Sequence, residues 1–264
     1  MSNSAVSFYR SHTRFGVALA LWTLGLSGGI AGDQPIVQAG PVAIKRELVF
    51  TEDFSADGLR QVWQVAIPAF EVKAGVLVGI QARDKSTTAA GDRPEIRAHP
   101  AVILLDVPTR DSVVEAKIRF EGASMIDVQF EDRTCAEARN GHISRVQIYL
   151  DRVVIFDDRD GWMNNRILAM SQDPTKRDER SRLLAARRAV YPVKLVEARW
   201  YCLAVETAVD SMRITIDGLP VAQFRSSGIA HTTKARIGFS VAGKTGLLDD
   251  IRVWRAEPLS GPGT

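Results

Sequence analysis

Cysteine and histidine are scarce: the 264 residues hold two of the first, Cys135 and Cys202, and four of the second. There is no C-x-x-C and no H-E-x-x-H, so the usual ligand sets of a zinc site are missing. Neither a G-x-S-x-G elbow nor a G-x-x-x-x-G-K-[ST] phosphate loop occurs, and His99, His142 and His231 are dispersed without triad spacing. They read as hydrogen-bonded loop residues. The two thiols could pair in an oxidising compartment or stay as buried free thiols; the spacing decides neither. No charge of one sign dominates, because 34 basic residues face 31 acidic ones and the two are interleaved. A basic face for nucleic acid is therefore not expected.

Long apolar runs are also missing, with one exception. Arg10, His12 and Arg14 precede FGVALALWTLGL, and small residues SGGIAG follow. That order matches a secretory signal. The run is too short for a helix crossing a hydrocarbon core about 30 Å thick. Residues 1–32 are thus expected to be a signal peptide cleaved after Ala31 or Gly32, the alternative being an uncleaved anchor. The destination is outside the cell or in the periplasm and cell envelope, with no membrane-spanning segment once the signal is removed. Residues 33–46 hold two prolines and no period, and read as a linker. The domain is expected over 47–257, followed by a disordered tail over 258–264.

What the mature chain does have is alternation. Short runs such as AVILLDV, SVVEAKIRFE, MIDVQFED, HISRVQIYL, RVVIFD, RWYCLAVE, MRITID and LDDIRVWR repeat apolar and polar residues at period two. A dozen such strands with few helical segments predict an all-β sandwich of two antiparallel sheets. Asp217-Gly218 between two runs is a hairpin signal. One helix is expected near 175–189, capped by Asp173, entered through Pro174 and ended by Pro192, with Leu183, Ala186 and Val190 as its apolar stripe. Its basic residues read as a solvated face, or as a cationic rim for acidic ligands. The glycines from Gly238 to Gly246 read as a turn between strands.

Alternation also predicts a polar face. If Ile126, Val128 and Phe130 point inward, Asp127, Gln129 and Glu131 share the opposite face. Likewise Arg145, Gln147 and Tyr149 oppose Val146 and Ile148. These groups suit a hydroxyl-rich ligand, with Tyr149 able to stack on a sugar ring; the alternative is the plain wet face of a sheet. Glycosidases work with paired carboxylates separated by about 5–9.5 Å. Asp127 and Glu131 lie about 13 Å apart along a straight strand, so Glu115 from a neighbouring strand is the third candidate acid. Asp157-Asp158-Arg159-Asp160-Gly161 begins like a calcium loop but lacks the later glutamate, so it reads as a turn, and neither cofactor nor metal is expected.

The stretch RWYCLAVETAVDSMRITIDGLPVAQFRSSGIAHTTKARIGFSVAGKTGLLDDIRVWRAE, from Arg199 to Glu257, resembles the closing half of concanavalin A-like lectin/glucanase sandwiches. It is similar to the 3-keto-disaccharide hydrolase domain, a family 16 glycoside hydrolase-like domain of exported planctomycete-type proteins. EDFS with Trp63, and GHISRVQIYLDRVVIFDDRDGWMN, resemble the opening half. The resemblance implies a jelly roll that engages a saccharide or polysaccharide and hydrolyses a glycosidic bond. On the E-x-D-x-x-x-E pattern of family 16 glucanases, Met125 stands at the nucleophile position and only Asp127 and Glu131 carry over. A thioether cannot form a glycosyl ester, so a second expectation stands beside hydrolysis: a non-catalytic laminin G-like module binding a glycan or a protein.

Overall fold

The computed structural model describes residue 37, residues 40–88 and residues 97–259. The expected signal, residues 1–32, lies outside the described residues, as does the tail beyond 259. Thirteen strands carry the fold: β1 (Ala43–Glu52), β2 (Trp63–Ile67), β3 (Phe70–Lys73), β4 (Val76–Ile80), β5 (Ala101–Thr109), β6 (Ser112–Glu131), β7 (His142–Ile148), β8 (Arg152–Asp157), β9 (Arg188–Pro192), β10 (Trp200–Ala208), β11 (Ser211–Ile216), β12 (Leu219–Arg225) and β13 (Lys234–Pro258). Two short helices, α1 (Asn165–Ala169) and α2 (Arg177–Ala185), lie between β8 and β9. No helix among the described residues is long and apolar enough to cross a membrane.

Among the described residues every strand pairing is antiparallel, and hydrogen bonds join all thirteen strands. They nevertheless form two layers, because β6 and β13 are long enough to run through both. The first layer is ordered β2-β5-β13-β6-β7-β8-β9 and uses the start of β13 with the end of β6. The second is ordered β1-β13-β6-β10-β11-β12 and uses their other halves, while the β3-β4 hairpin extends the middle of β13. Gly122 at φ +85° and Gly243 at φ +83° stand at the register shifts where the two strands change layer. A left-handed φ costs glycine little, so the strands bend there without ending. The expectation of separate strands on either side of these glycines, and of a turn over 238–246, is corrected accordingly.

Alternate residues supply the core. Ile126, Val128 and Phe130 of one layer and Val114, Ile118 and Val253 of the other belong to one buried cluster. The layers are tied at both edges. Trp63 on β2 packs edge-on against Phe50 of β1, with ring centroids 5.5 Å apart. At the opposite edge, the Tyr191 hydroxyl of β9 donates to the Gln223 carbonyl of β12.

Several boundaries differ from expectation. β1 starts at Ala43, inside the stretch read as linker, and its last partner is Pro258 at the head of the supposed tail. The helix stops at Ala185, and Arg188–Pro192 is an edge strand on β8. The reason is period two: Ala189 and Tyr191 are buried, whereas Arg188 and Val190 are exposed. Leu184 is the buried helix residue, packed with Ile167 and Met170, and Leu183 only flanks it. The Asp217-Gly218 hairpin forms as read, with φ +51° and +77°, the pair a type I′ turn needs. Cys135 and Cys202 are both free thiols, one buried and one exposed.

Candidate functional site

The register of the first layer brings the predicted polar residues onto its outer face. Asp127 lies opposite Gln147 and Ser240, Gln129 opposite Arg145 and Gly238, and Glu131 opposite His142 and Arg236. One strand further, Val102 and Leu104 stand beside Ser240 and Gly238. Gly238 is needed for room: a Cβ there would lie 2.6 Å from Gln129 Nε2 and 2.8 Å from Leu104 Cδ2. Gln129 can thus lie flat and donate to Glu131 Oε1 at 3.2 Å.

This face is not the open wet surface that alternation alone suggests. Asp127, Gln129 and Glu131 are all buried, Asp127 with 2% of its surface exposed. Two loops do this. The segment after β6 is fixed by Asp132, whose carboxylate accepts from the Thr134 amide at 2.9 Å, the Thr134 and Thr233 hydroxyls and His231 Nε2 at 3.1 Å. Burial works against that carboxylate, but these hydrogen bonds outweigh it and bring its pKa down to about 2. The wide turn Asp158–Trp162 is fixed by Asp157, which accepts from the Asp160 amide at 2.9 Å, the Gly228 amide at 3.0 Å and the Ser226 hydroxyl.

Between the first loop and the sheet lies a cavity of about 520 Å³. Gln129 and Glu131 form its floor, Val102, Leu104 and Ile67 one wall, and Arg133, Ala138, Asn140 and His142 the other. The size is that of a small-molecule site, typically about 300–1,000 Å³. Apolar walls with a few converging polar groups are the usual form of such sites.

Its electrostatics follow from burial. Burial pushes Glu131 up to about 7 against the nearby Arg236 and Arg133 charges, with Asp158 and Asp106 adding to the rise. Burial likewise raises Asp127 to about 7, opposed by Arg145 and reinforced by Asp158 and Glu131. Asp158 goes up to about 6, again through burial, with Arg145 opposing. His142, whose Nδ1 is 3.4 Å from Glu131 Oε1, is pulled down to about 4 by burial and by the Arg145 and His99 charges. At neutral pH the His142 ring is therefore uncharged, and the pair is a close contact without hydrogen-bond geometry and not an ion pair.

Of the residues singled out from sequence, Gln129 and Glu131 reach the cavity. Asp127 is sealed beneath the wide turn. Arg145 lies beside it, with its guanidinium 4.7 Å from the Phe156 ring centroid. Gln147 and Tyr149 bond to each other at 2.8 Å on the same face but away from the cavity. Glu115 does not join them. It shares strand β6 with Asp127, and because β6 changes layer, Glu115 lies on the other layer, held by Lys45 at 2.5 Å and Trp254 Nε1 at 2.8 Å. Sequence reasoning missed Asp158, His142, Trp162 and Gly238. The signal for Asp158 was present in the acidic run after a buried strand, which read only as a turn. Among the described residues no group of three or more His, Cys, Asp or Glu is placed to hold a metal ion.

No family model and no curated protein matches this chain. Solved structures do match. The endo-β-1,3-glucanase from Pyrococcus furiosus is 11% identical over 84% of this chain and 100% of that one, with a TM-score of 0.51. The laminarinase from Rhodothermus marinus is 12% identical over 81% and 99%, with a TM-score of 0.52. At such identities the likeness is one of fold. The chain is a concanavalin A-like jelly roll, mostly antiparallel sheet in two layers.

Proposed function

We propose that this is an exported, carbohydrate-engaging protein that holds a saccharide in the cleft floored by Gln129 and Glu131. The observation that carries the reading is that acid–amide pair, buried at the bottom of a cavity with apolar walls. A carboxyl group, an amide and an imidazole offer both donors and acceptors to sugar hydroxyls, while Ile67, Val102 and Leu104 meet the apolar face of a ring. The fold shared with two proteins described as acting on β-1,3-glucans makes gluco-oligosaccharides the first ligands to try. Binding ranks ahead of hydrolysis because, among the described residues, Glu131 is the only carboxyl that reaches the cleft and Asp127 is sealed. A paired-carboxylate mechanism needs both groups at the bond.

Hydrolysis, including that of a 3-keto-glycoside, has one observation in its favour. Glu131 raised to about 7 retains a proton at neutral pH, as a general acid requires. A glycan array followed by calorimetry tests the main reading, and a product assay on 3-keto-glycosides and laminarin tests the second. Saturable binding that Glu131→Gln weakens at least tenfold, without product, supports the binding role. Turnover abolished by the same substitution supports the hydrolase. An empty array overturns both. Export is checked by fractionating cells that make the full chain and sequencing the N-terminus of the recovered protein.

A further inference from the structure

A polysaccharide bound along its interior must enter and leave a site, so it needs a groove open at both ends. Among the described residues, the outer face of the first layer does not provide one. Across β7 and β8 it is covered by the Asp158–Trp162 turn: Asp158 has no exposed surface, and Phe156 lies under the Trp162 ring with centroids 6.2 Å apart. That cover is fixed in place. Asp157 at its root is bonded to Ser226, Gly228 and Asp160, and Arg187 Nη1 reaches the same carboxylate at 3.4 Å. Arg180 and Arg188 each sit 6.0 Å from the Trp162 ring centroid and brace its far side. At the end of β6 the cavity meets a second barrier, the loop carrying Arg133, Ala138 and Asn140. A Cβ at Gly141 would collide with the Asp132 backbone, so this loop lies tight on its own base.

We infer, resting on the saccharide reading above, that the cleft is a blind pocket that receives the free end of a saccharide chain and excludes internal segments. The floor pair Gln129 and Glu131 then addresses the terminal sugar, and further sugars extend past Ile67 and His99, which line the side away from the turn. The volume of about 520 Å³ belongs to the range of small-molecule sites and leaves room for a terminal sugar and its neighbours.

The test is calorimetric titration of the full chain with linear β-1,3-gluco-oligosaccharides of three to six sugars and with a cyclic β-1,3-glucan, which has no ends. The inference expects an affinity per chain that varies less than twofold with length, and at least tenfold weaker binding of the cyclic form. Cyclic and linear forms binding within twofold of each other would overturn it, as would affinity rising steadily with length; in both cases the saccharide reading survives. Binding of neither form also overturns it, and the glycan array then decides separately whether the broader reading stands.

Discussion

Asp127, near the end of β6, and Asp158, in the turn after β8, flank a single guanidinium. Arg145 Nε is 4.0 Å from Asp127 Oδ2, and its Nη1 is 3.4 Å from Asp158 Oδ2. Neither contact has hydrogen-bond geometry, and both Asp158 oxygens and Asp127 Oδ1 lack a hydrogen-bond partner. Two buried carboxyls with one cation between them cannot both ionise cheaply. One proton is retained in the cluster well above the usual carboxylate range.

This gives a pH dependence with a definite sign. Asp127, Glu131 and Asp158 all have folded-state pKa values raised from 3.8, 4.5 and 3.8 to about 7, 7 and 6. The folded state therefore binds more protons than the unfolded state between about pH 4 and pH 7. The stability these groups lend is complete below pH 4 and is lost as pH rises through 7. Asp132, lowered to about 2, acts oppositely only in strong acid, and His142, lowered from 6.5 to about 4, opposes the three carboxyls between about pH 4 and 6.5 without reversing their combined effect. Melting temperature is expected to fall by several degrees from pH 5 to pH 8, read by calorimetry at constant ionic strength. A melting temperature that climbs over this range would contradict the assignment.

Asp158→Asn removes one of the competing carboxyls while keeping its shape. The variant should be more stable than the parent at pH 8, by about 1–3 kcal/mol on the scale of 1.36 kcal/mol per pKa unit, and nearly unchanged at about pH 3.5, below the unfolded-state pKa. Equal effects at both pH values would show that Asp158 acts by packing alone.

The polar face was legible in the sequence because period two is fixed by strand geometry. Asp127, Gln129 and Glu131 had to share a side once Val128 and Phe130 faced the core. Its burial was not legible, since the cover comes from the irregular loop right after β6, held by Asp132, and from the turn after β8, held by Asp157 and remote in the chain. Glu115 failed as a candidate for a related reason. SVVEAKIRFE and MIDVQFED read as two strands, whereas the left-handed φ of Gly122 lets β6 continue into the other layer, so Glu115 and Asp127 lie on one strand and not on neighbours. The same ambiguity hid the continuity of β13 across Gly243. The Asp173 cap formed, accepting from the Thr175 amide at 2.9 Å, but on a 3-10 turn over Pro174–Lys176, and the α-helix that follows starts at Arg177 and stops well before the expected end. There Ala189 and Val190 fit either period, and pairing with β8 decided the outcome.

Gly238→Ala tests how the floor is built. The added methyl collides with Gln129 Nε2 and Leu104 Cδ2, so Gln129 must leave its bond to Glu131. Ligand affinity should drop at least fivefold, while circular dichroism keeps the parent strand signal. Unchanged affinity would mean that Gln129 does not need to lie flat.

Tyr191→Phe removes the hydroxyl that joins the two layers at the β9–β12 edge. The Gln223 carbonyl loses that donor, and a loss of about 1 kcal/mol is expected from urea denaturation. A neutral substitution would show that apolar packing alone closes this edge.

The central claim is that saccharide binds on the outer face of the first layer and nowhere on the second. Titration of one gluco-oligosaccharide against the parent, Glu131→Gln and Glu115→Gln tests it most directly, because the two acids sit on one strand but on opposite layers. At least tenfold weaker binding in Glu131→Gln with parental affinity in Glu115→Gln is the predicted result. The reverse order, or equal affinity in all three, would contradict it.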